Sequence, residues 1–339
     1  MIDSVLDTLF LPIREGEVAL PEDGPALFLR ARTGDALDGL PRAKILCDQS
    51  FRPDHDALAR AGFNLHDGDD GRRFGLTLVL PHRQRDENRA LLARAVTATR
   101  DGGIVMAAAS NLEGARTFAG DLESLAGKVA SLSKNKCRVF RARIEAGGID
   151  RALIADWLDK AAPRDIGGGF LSRPGLFAWD RFDAGSRLLV ENLPPSLSGT
   201  AADLGAGTGY LSLAALNLSP GLTRIDLYEA EARALELARR NLASFGGRAG
   251  FHWADVTRGV QPGYDVILSN PPFHVDRADR HDLGRAFIAR AAEALRPGGV
   301  FLMVANRHLP YEEALKAAFR AVVVLADNGA YKVFRAIGK

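Results

Sequence analysis

The sequence predicts an α/β protein in which one mostly parallel sheet, covered by helices on both faces, occurs twice in tandem, the first copy degenerate. Three observations predict this. The chain has 339 residues, more than one ordinary domain needs. Apolar runs, Gly-rich turns and amphipathic helices alternate through its second half, the pattern of strands joined by crossover helices. Three segments of that half recur, in the same order, in the first. With 47% hydrophobic and 25% charged residues, both copies can bury full cores.

The repeats set the domain limits. FIARAAEALRPGGVFLMVAN (287–306) reads as helix, Gly-Gly turn and buried strand, and LLARAVTATRDGGIVMAAAS (91–110) has the same succession 196 residues earlier. KVFRAI (332–337) is matched by RVFRAR (138–143), and LGAGTGY (204–210) by LRARTGD (29–35). In the last pair Arg30 and Arg32 stand where the second copy has Gly205 and Gly207. An arginine there fills space that a ligand-cradling loop must leave open, so the first copy is expected to be catalytically dead. Gly and Pro cluster in APRDIGGGFLSRPG (162–175) with no periodicity, which places the boundary there: 1–163 the degenerate domain, 164–339 the working one.

Composition excludes several classes. Two cysteines, Cys47 and Cys137, are too few for a disulfide framework, and no Cys/His cluster has metal-ligand spacing, so no metal is expected. The N-terminus lacks the basic and apolar regions of a secretion signal. No run approaches the ~20 apolar residues of a membrane span. A cytoplasmic protein with no membrane partner is expected, and a monomer is compatible with the sequence. Net charge is +2, but residues 1–70 hold 14 acidic against 7 basic residues and residues 71–143 hold 6 against 14. The second balance is either a solvated face or a surface for a polyanion.

The working site is expected beyond the carboxyl ends of the second copy's strands. TAADLGAGTGYLSLAAL (200–216) is a strand, a glycine turn and a helix, with Gly205, Gly207 and Gly209 opening the backbone to a ligand. A nicotinamide site would place Gly or Ala where Tyr210 stands. Asp203 instead suits the ammonium of S-adenosylmethionine, which a carboxylate receives by a charge-assisted hydrogen bond. Glu229 ends the next strand, 24 residues past Gly205, near the spacing at which an acid grips ribose hydroxyls. Asp255 ends the third and can accept from an adenine amino group. Each acid alone is as readily a helix N-terminal residue; together with three glycines they read as one site.

YDVILSNPPFH (264–274) is the most specific string. An apolar strand stops at Asn270-Pro271-Pro272-Phe273, where two residues without N–H leave carbonyl acceptors with few competing donors. Asn270 Oδ1 and the Pro271 carbonyl suit the two N–H groups of an exocyclic amine and favour its pyramidal transition state. Phe273 can stack on the base. His274 and His281 lie nearby in sequence, with surface or packing roles expected.

The tetrad resembles that of methyltransferases acting on amino groups of adenine, guanine or glutamine amides. With LMVANRHLPYEEAL (302–315), YKVFRAI (331–337) and LSRPGLFAWDRFDAGSRLLV (171–190), the second half resembles the ribosomal RNA guanine-N2 methyltransferases of the RsmC/RlmG type. The resemblance implies two tandem Rossmann-like class I methyltransferase domains, S-adenosylmethionine as cofactor, and methylation of a guanine amine in ribosomal RNA, small-subunit 16S RNA foremost. It implies that Asn270, Pro271 and Phe273 hold the guanine, and that Phe177, Asp183 and Gly185 line the cofactor entrance. VDRADRHD after His274 departs from the family's Gly-containing turn. Rival readings are large-subunit RNA, a protein glutamine, or a non-catalytic RNA-binding relic. The partner is ribosomal RNA or a partly assembled subunit. For the first domain, Lys134, Lys136, Arg138, Arg141 and Arg143 on a terminal hairpin suggest RNA docking, against a plainly supportive role.

Overall fold

The computed structural model describes residues 3–66, 68, 70–272 and 279–339, with backbone only at 279–281. The chain divides into two compact units, Met1–Ala162 with Arg173–Gly175, and Pro163–Ser172 with Leu176–Lys339.

In the first unit, helices α1 (Ser4–Arg14), α2 (Asp35–Asp38), α3 (Arg52–Arg60), α4 (Arg85–Ala98), α5 (Ala115–Ala126) and α6 (Arg151–Lys160) accompany seven strands. These are β1 (Ala26–Leu29), β2 (Ile45–Asp48), β3 (Asn64–Leu65), β4 (Phe74–Val79), β5 (Thr99–Ser110), β6 (Val129–Lys134) and β7 (Cys137–Arg143). They form one sheet in the order β3-β2-β1-β4-β5-β7-β6, parallel through β5 and antiparallel at β7 and β6. In the second unit, β8 (Arg164–Asp165) and β9 (Leu171–Ser172) pair as a short antiparallel ribbon in the Gly-rich segment that showed no periodicity.

The second unit repeats the plan. Its strands are β10 (Gly199–Leu204), β11 (Leu222–Glu229), β12 (Ala249–Trp253), β13 (Tyr264–Ser269), β14 (Leu295–Asn306), β15 (Ala321–Asp327) and β16 (Tyr331–Ile337). Their order, β12-β11-β10-β13-β14-β16-β15, is that of the first sheet. Helices α7 (Ala184–Glu191), α8 (Tyr210–Leu218), α9 (Ala232–Asn241), α10 (Asp279–Ala294) and α11 (Glu312–Ala318) cover it. The tandem α/β fold expected from the repeats is therefore present.

Strand periodicity explains the two-sided cores. On β14, Phe301, Met303 and Ala305 enter one apolar cluster while Leu302 and Val304 enter the cluster on the opposite face. On β5, Val105, Ala107 and Ala109 divide from Met106 and Ala108 in the same way. A strand buried on both faces reads as a continuous apolar run, as ALFL of β1 does.

The registers turn the sequence repeats into structural equivalences. Leu29 faces Asp48 and Val79; Leu204 faces Tyr228 and Ser269. Leu29 thus corresponds to Leu204, Arg30 to Gly205 and Arg32 to Gly207. Farther along, Ala107 faces Phe140 as Met303 faces Phe334. Phe28 holds the place of Asp203, Gln49 that of Glu229, and Leu80-Pro81 that of Asn270-Pro271. The first unit has lost two of the three turn glycines, the buried acid and the amide together, and keeps Gly34 in the place of Gly209. Its space is filled from within: Arg30 Nη1 donates to the Leu80 and Pro81 carbonyls (3.1 and 2.7 Å).

Close approach at the second unit's glycine turn depends on Gly209. It sits at φ +89°, and a Cβ there would lie 2.6 Å from Leu242 Cδ1 and 3.3 Å from Ala238 Cβ. Gly246 has φ +53° but open space around it. Gly209→Ala should cost about 3 kcal/mol, strain plus overpacking, against about 1 kcal/mol for Gly246→Ala, strain alone. Urea unfolding of the two variants checks this; equal losses would mean that Gly209 does not set the packing of α8 on α9.

Candidate active site

The site is assembled at the carboxyl ends of β10, β11, β12 and β13. Parallel pairing brings these ends to one edge, and side-chain bonds tie them together. Ser269 Oγ donates to the Leu204 carbonyl (2.7 Å), joining the end of β13 to the glycine turn. Glu229 Oε2 accepts from Gly207 N and Oε1 from Glu231 N (both 2.7 Å), bracing that turn from β11. Asn241 Nδ2 donates to the Thr208 carbonyl (2.9 Å) from the end of α9. Gln49 does Glu229's bracing in the first unit, taking Phe51 N and donating to the Ala31 carbonyl, without the charge.

Asp203 is completely buried on β10. Its Oδ2 accepts from Ser212 Oγ (2.7 Å), while Oδ1 has no hydrogen-bond partner among the described residues. Burial, with some repulsion from Glu229, pushes this carboxyl up to about 7 against the Ser212 hydrogen bond. Burial also raises Glu229, countered by the N–H groups of Glu231 and Gly207. Two desolvated acids and an unpartnered oxygen make a place where a cation would offset the burial of charge. Above the turn, Gly207 at φ +56° has nothing among the described residues within 4 Å of its Cβ direction, which leaves room for a ligand against the backbone. Asp255 begins the short turn after β12, its Oδ1 accepting from Thr257 N and Oγ1 (2.9 and 2.6 Å).

Asn270, Pro271 and Pro272 follow β13. The Gly205 Cβ direction points within 4.0 Å of Pro272 Cδ, so this segment lies directly beside the glycine turn. Pro271 is buried and Pro272 exposed. Phe273 and His274 lie outside the described residues, as does the His281 side chain. Asn270 Nδ2 donates to Asp183 Oδ2 (3.0 Å) and to Ser186 Oγ (2.8 Å).

Asp183 and Gly185 open α7. Asp183 caps the helix by accepting from Ser186 N (2.8 Å), and its further contact is with Asn270. A Cβ on Gly185 would lie 3.0 Å from the Tyr331 ring, so this glycine lets α7 close onto β16. Phe177, 56% exposed, lies on the loop before α7. Ser186, Ser212 and Asn241 escaped sequence reading. Ser186, three residues past a capping Asp, carried a local signal; the other two act only through contacts made in the fold.

The basic hairpin of the first unit divides in two. Lys134, Lys136 and Arg143 are exposed, Arg138 and Arg141 half-buried. Arg141 pairs with Glu17 (2.7 Å), and Arg143 Nη1 donates to the Gly102 carbonyl. Asn135 and Lys136 both have positive φ, the tight turn that a two-residue hairpin favours. Among the described residues no group of three or more His, Cys, Asp or Glu could hold a metal, and no helix is long and apolar enough to cross a membrane.

Comparison with known proteins places this geometry. Residues 167–335 match the methyltransferase small domain family. The small-subunit ribosomal RNA methyltransferase C of Shewanella loihica is 36% identical over 160 residues, 47% of this chain and 46% of the relative. That of Escherichia coli is 38% identical over 164 residues, 48% of each. The chain thus spans about half the length of the curated relatives it matches. A T. thermophilus 16S rRNA N2 methyltransferase, solved in complex with AdoMet and guanosine, superposes with a TM-score of 0.81 at 24% identity, over 99% of this chain and 92% of that one. That likeness concerns the fold and extends it to both units. Through residues 167–335 the chain belongs to the methyltransferase small domain family, within a tandem-domain fold shared with the T. thermophilus protein.

Proposed function

We propose that the second unit transfers a methyl group from S-adenosylmethionine to the exocyclic N2 amine of a guanine in 16S ribosomal RNA. One observation carries the reading: Asn270 has both amide hydrogens engaged, leaving its oxygen as an acceptor beside a glycine turn whose buried acid calls for a cation. The names of the 36–38% identical relatives give the substrate class.

The residues fit the cofactor. Asp203 Oδ1 would take its ammonium, Gly205, Gly207 and Gly209 the methionine backbone, Glu229 the ribose hydroxyls and Asp255 the adenine amine. Glu229's two oxygens each keep a lone pair beyond the N–H they accept. Phe177, Asp183 and Gly185 would flank the entrance. When bound, the sulfonium supplies a methyl group with its leaving group already attached. The chain's part is to hold the amine in line, exclude water and stabilise charge growing on nitrogen. Asn270 Oδ1 and the Pro271 carbonyl would accept the amine hydrogens, and Phe273 would stack on the base. The first unit supports the carbonyl's role by analogy, since there a planar guanidinium nitrogen donates to Pro81, in register with Pro271. That unit would serve as the RNA-docking module of a cytoplasmic enzyme acting on RNA or a partly assembled subunit.

Asn270→Ala should leave cofactor affinity nearly unchanged and slow transfer by about two orders of magnitude, the scale of one missing transition-state hydrogen bond. Single-turnover assays with labelled cofactor on deproteinised 16S RNA and on isolated subunits, with the product nucleotide mapped, check both the rate and the substrate. Label on no guanine N2 would refute the assignment.

Asp203 makes cofactor binding sensitive to pH. Its raised pKa means that the free protein is stabilised by the neutral acid, loses that contribution as pH rises through about 7, and regains it when a cation binds. Affinity should therefore fall as pH drops from about 7 to about 5.5, by at most about tenfold per pH unit, with proton release on binding. Calorimetry in buffers of different ionisation enthalpy measures both, and Asp203→Asn should flatten the profile.

Replacing Lys134, Lys136 and Arg138 with Ala should weaken RNA binding and reduce its salt slope by about 0.7 to 0.9 for each phosphate no longer neutralised. Normal thermal stability with unchanged affinity and slope would leave the first unit a structural partner.

A further inference from the structure

A side-chain amide has a donor end and an acceptor end of nearly the same shape, so asparagine can offer either to a ligand unless its surroundings decide. At the end of β13 they decide. Asn270 Nδ2 commits its two hydrogens to Asp183 Oδ2 at 3.0 Å and Ser186 Oγ at 2.8 Å. A carboxylate only accepts, and Asp183 Oδ2 already takes Ser186 N at 2.8 Å. Flipping the amide would set Asn270 Oδ1 against that oxygen, two acceptors with no hydrogen between them, and would remove a charge-assisted bond. Oδ1 is therefore turned away from α7.

We infer that Asp183 and Ser186 are positioning residues that lock Asn270 as an acceptor, so that the site selects an N–H donor over a carbonyl at the target position. This rests on the reading of Asn270 as the partner of the target amine. The lock has a rigid seat. Ser186 and Leu189 of α7 are buried, and Gly185 lets the first turn press onto Tyr331 of β16.

The first unit shows what becomes of such a seat without its amide. Its α1 precedes β1 and lies on β5 and β7 as α7 lies on β14 and β16, and it too is capped by an aspartate, Asp3. Leu6 stands where Ser186 stands, three residues past the cap, and Leu80 where Asn270 stands. The capping carboxylate turns to Arg32 instead, at 2.5 and 3.0 Å. Amide, serine and the cap's second partner are replaced as a set, as expected of parts of one device.

The test is a cycle of Asp183→Ala, Asn270→Ala and the double variant, with Asp183→Asn as the conservative control. Asp183→Ala should slow single-turnover transfer about tenfold or more at saturating cofactor, where any loss of affinity from its place at the cofactor entrance no longer limits the rate. The double variant should be no slower than Asn270→Ala, because Asp183 acts through Asn270. Asp183→Asn should recover most of the rate, since asparagine caps a helix equally well and one oxygen can accept from both donors. Multiplying rate losses in the double variant, or an Asp183→Ala rate at saturating cofactor equal to wild type, would overturn the inference. A second readout needs no activity: urea unfolding of the same cycle should show coupling between positions 183 and 270. Coupling in a protein that methylates no guanine would refute the proposed function alone; additive stability losses would refute the lock.

Discussion

The parallel pairing of β10 with β11 on one side and β13 on the other is the constraint on which the rest depends. Parallel strands end on one edge, and beyond that edge their turns have backbone groups without ladder partners. The second unit meets this need with side chains: Glu229 takes two of those N–H groups and Ser269 supplies a donor to Leu204. The same bonds hold the glycine turn and the NPPF turn side by side. The site is thus a consequence of how the sheet's edge is closed.

Closing the edge this way leaves an uncompensated electrostatic cost inside the unit. Asp203 is fully buried with one oxygen unpartnered among the described residues, next to Glu229, a half-buried acid whose carboxyl desolvation also raises. A core optimised for stability alone would not place carboxylates there, since each desolvated charge opposes folding until a partner arrives. The first unit shows the alternative. Phe28 replaces the acid and packs edge-on against Phe10 at 5.6 Å, and Arg30 closes the opening above it. The two units keep one sheet order and one bracing scheme, and differ in whether the edge is left open for a ligand.

Hydrogen-bond direction sets which atom of Asn270 is presented at the end of β13. Asn270 could serve as donor or acceptor, and only its bond to an obligate acceptor on α7 removes the choice. Asp183 thereby joins helix capping to the acceptor position, and Ser186 serves both as recipient of the cap and as partner of the amide.

Much of this was legible in the chain itself. The tandem α/β fold was written in repeats at fixed offsets, because equivalent strands must carry equivalent apolar periodicities and equivalent turns the same glycines. The places of Asp203, Glu229 and Asn270 at strand ends were legible because each lies at the end of an apolar run. The bond from Asn270 to Asp183 spans 87 residues, that from Asp203 to Ser212 joins a strand to a helix across the glycine turn, and Arg30 meets Leu80 and Pro81, 50 and 51 residues away. No local pattern encodes such contacts. Sequence sets which groups lie at a strand end or helix start, whereas the direction in which a buried amide or carboxylate finds its partner depends on which elements the folded sheet brings alongside, and only the tertiary structure decided that.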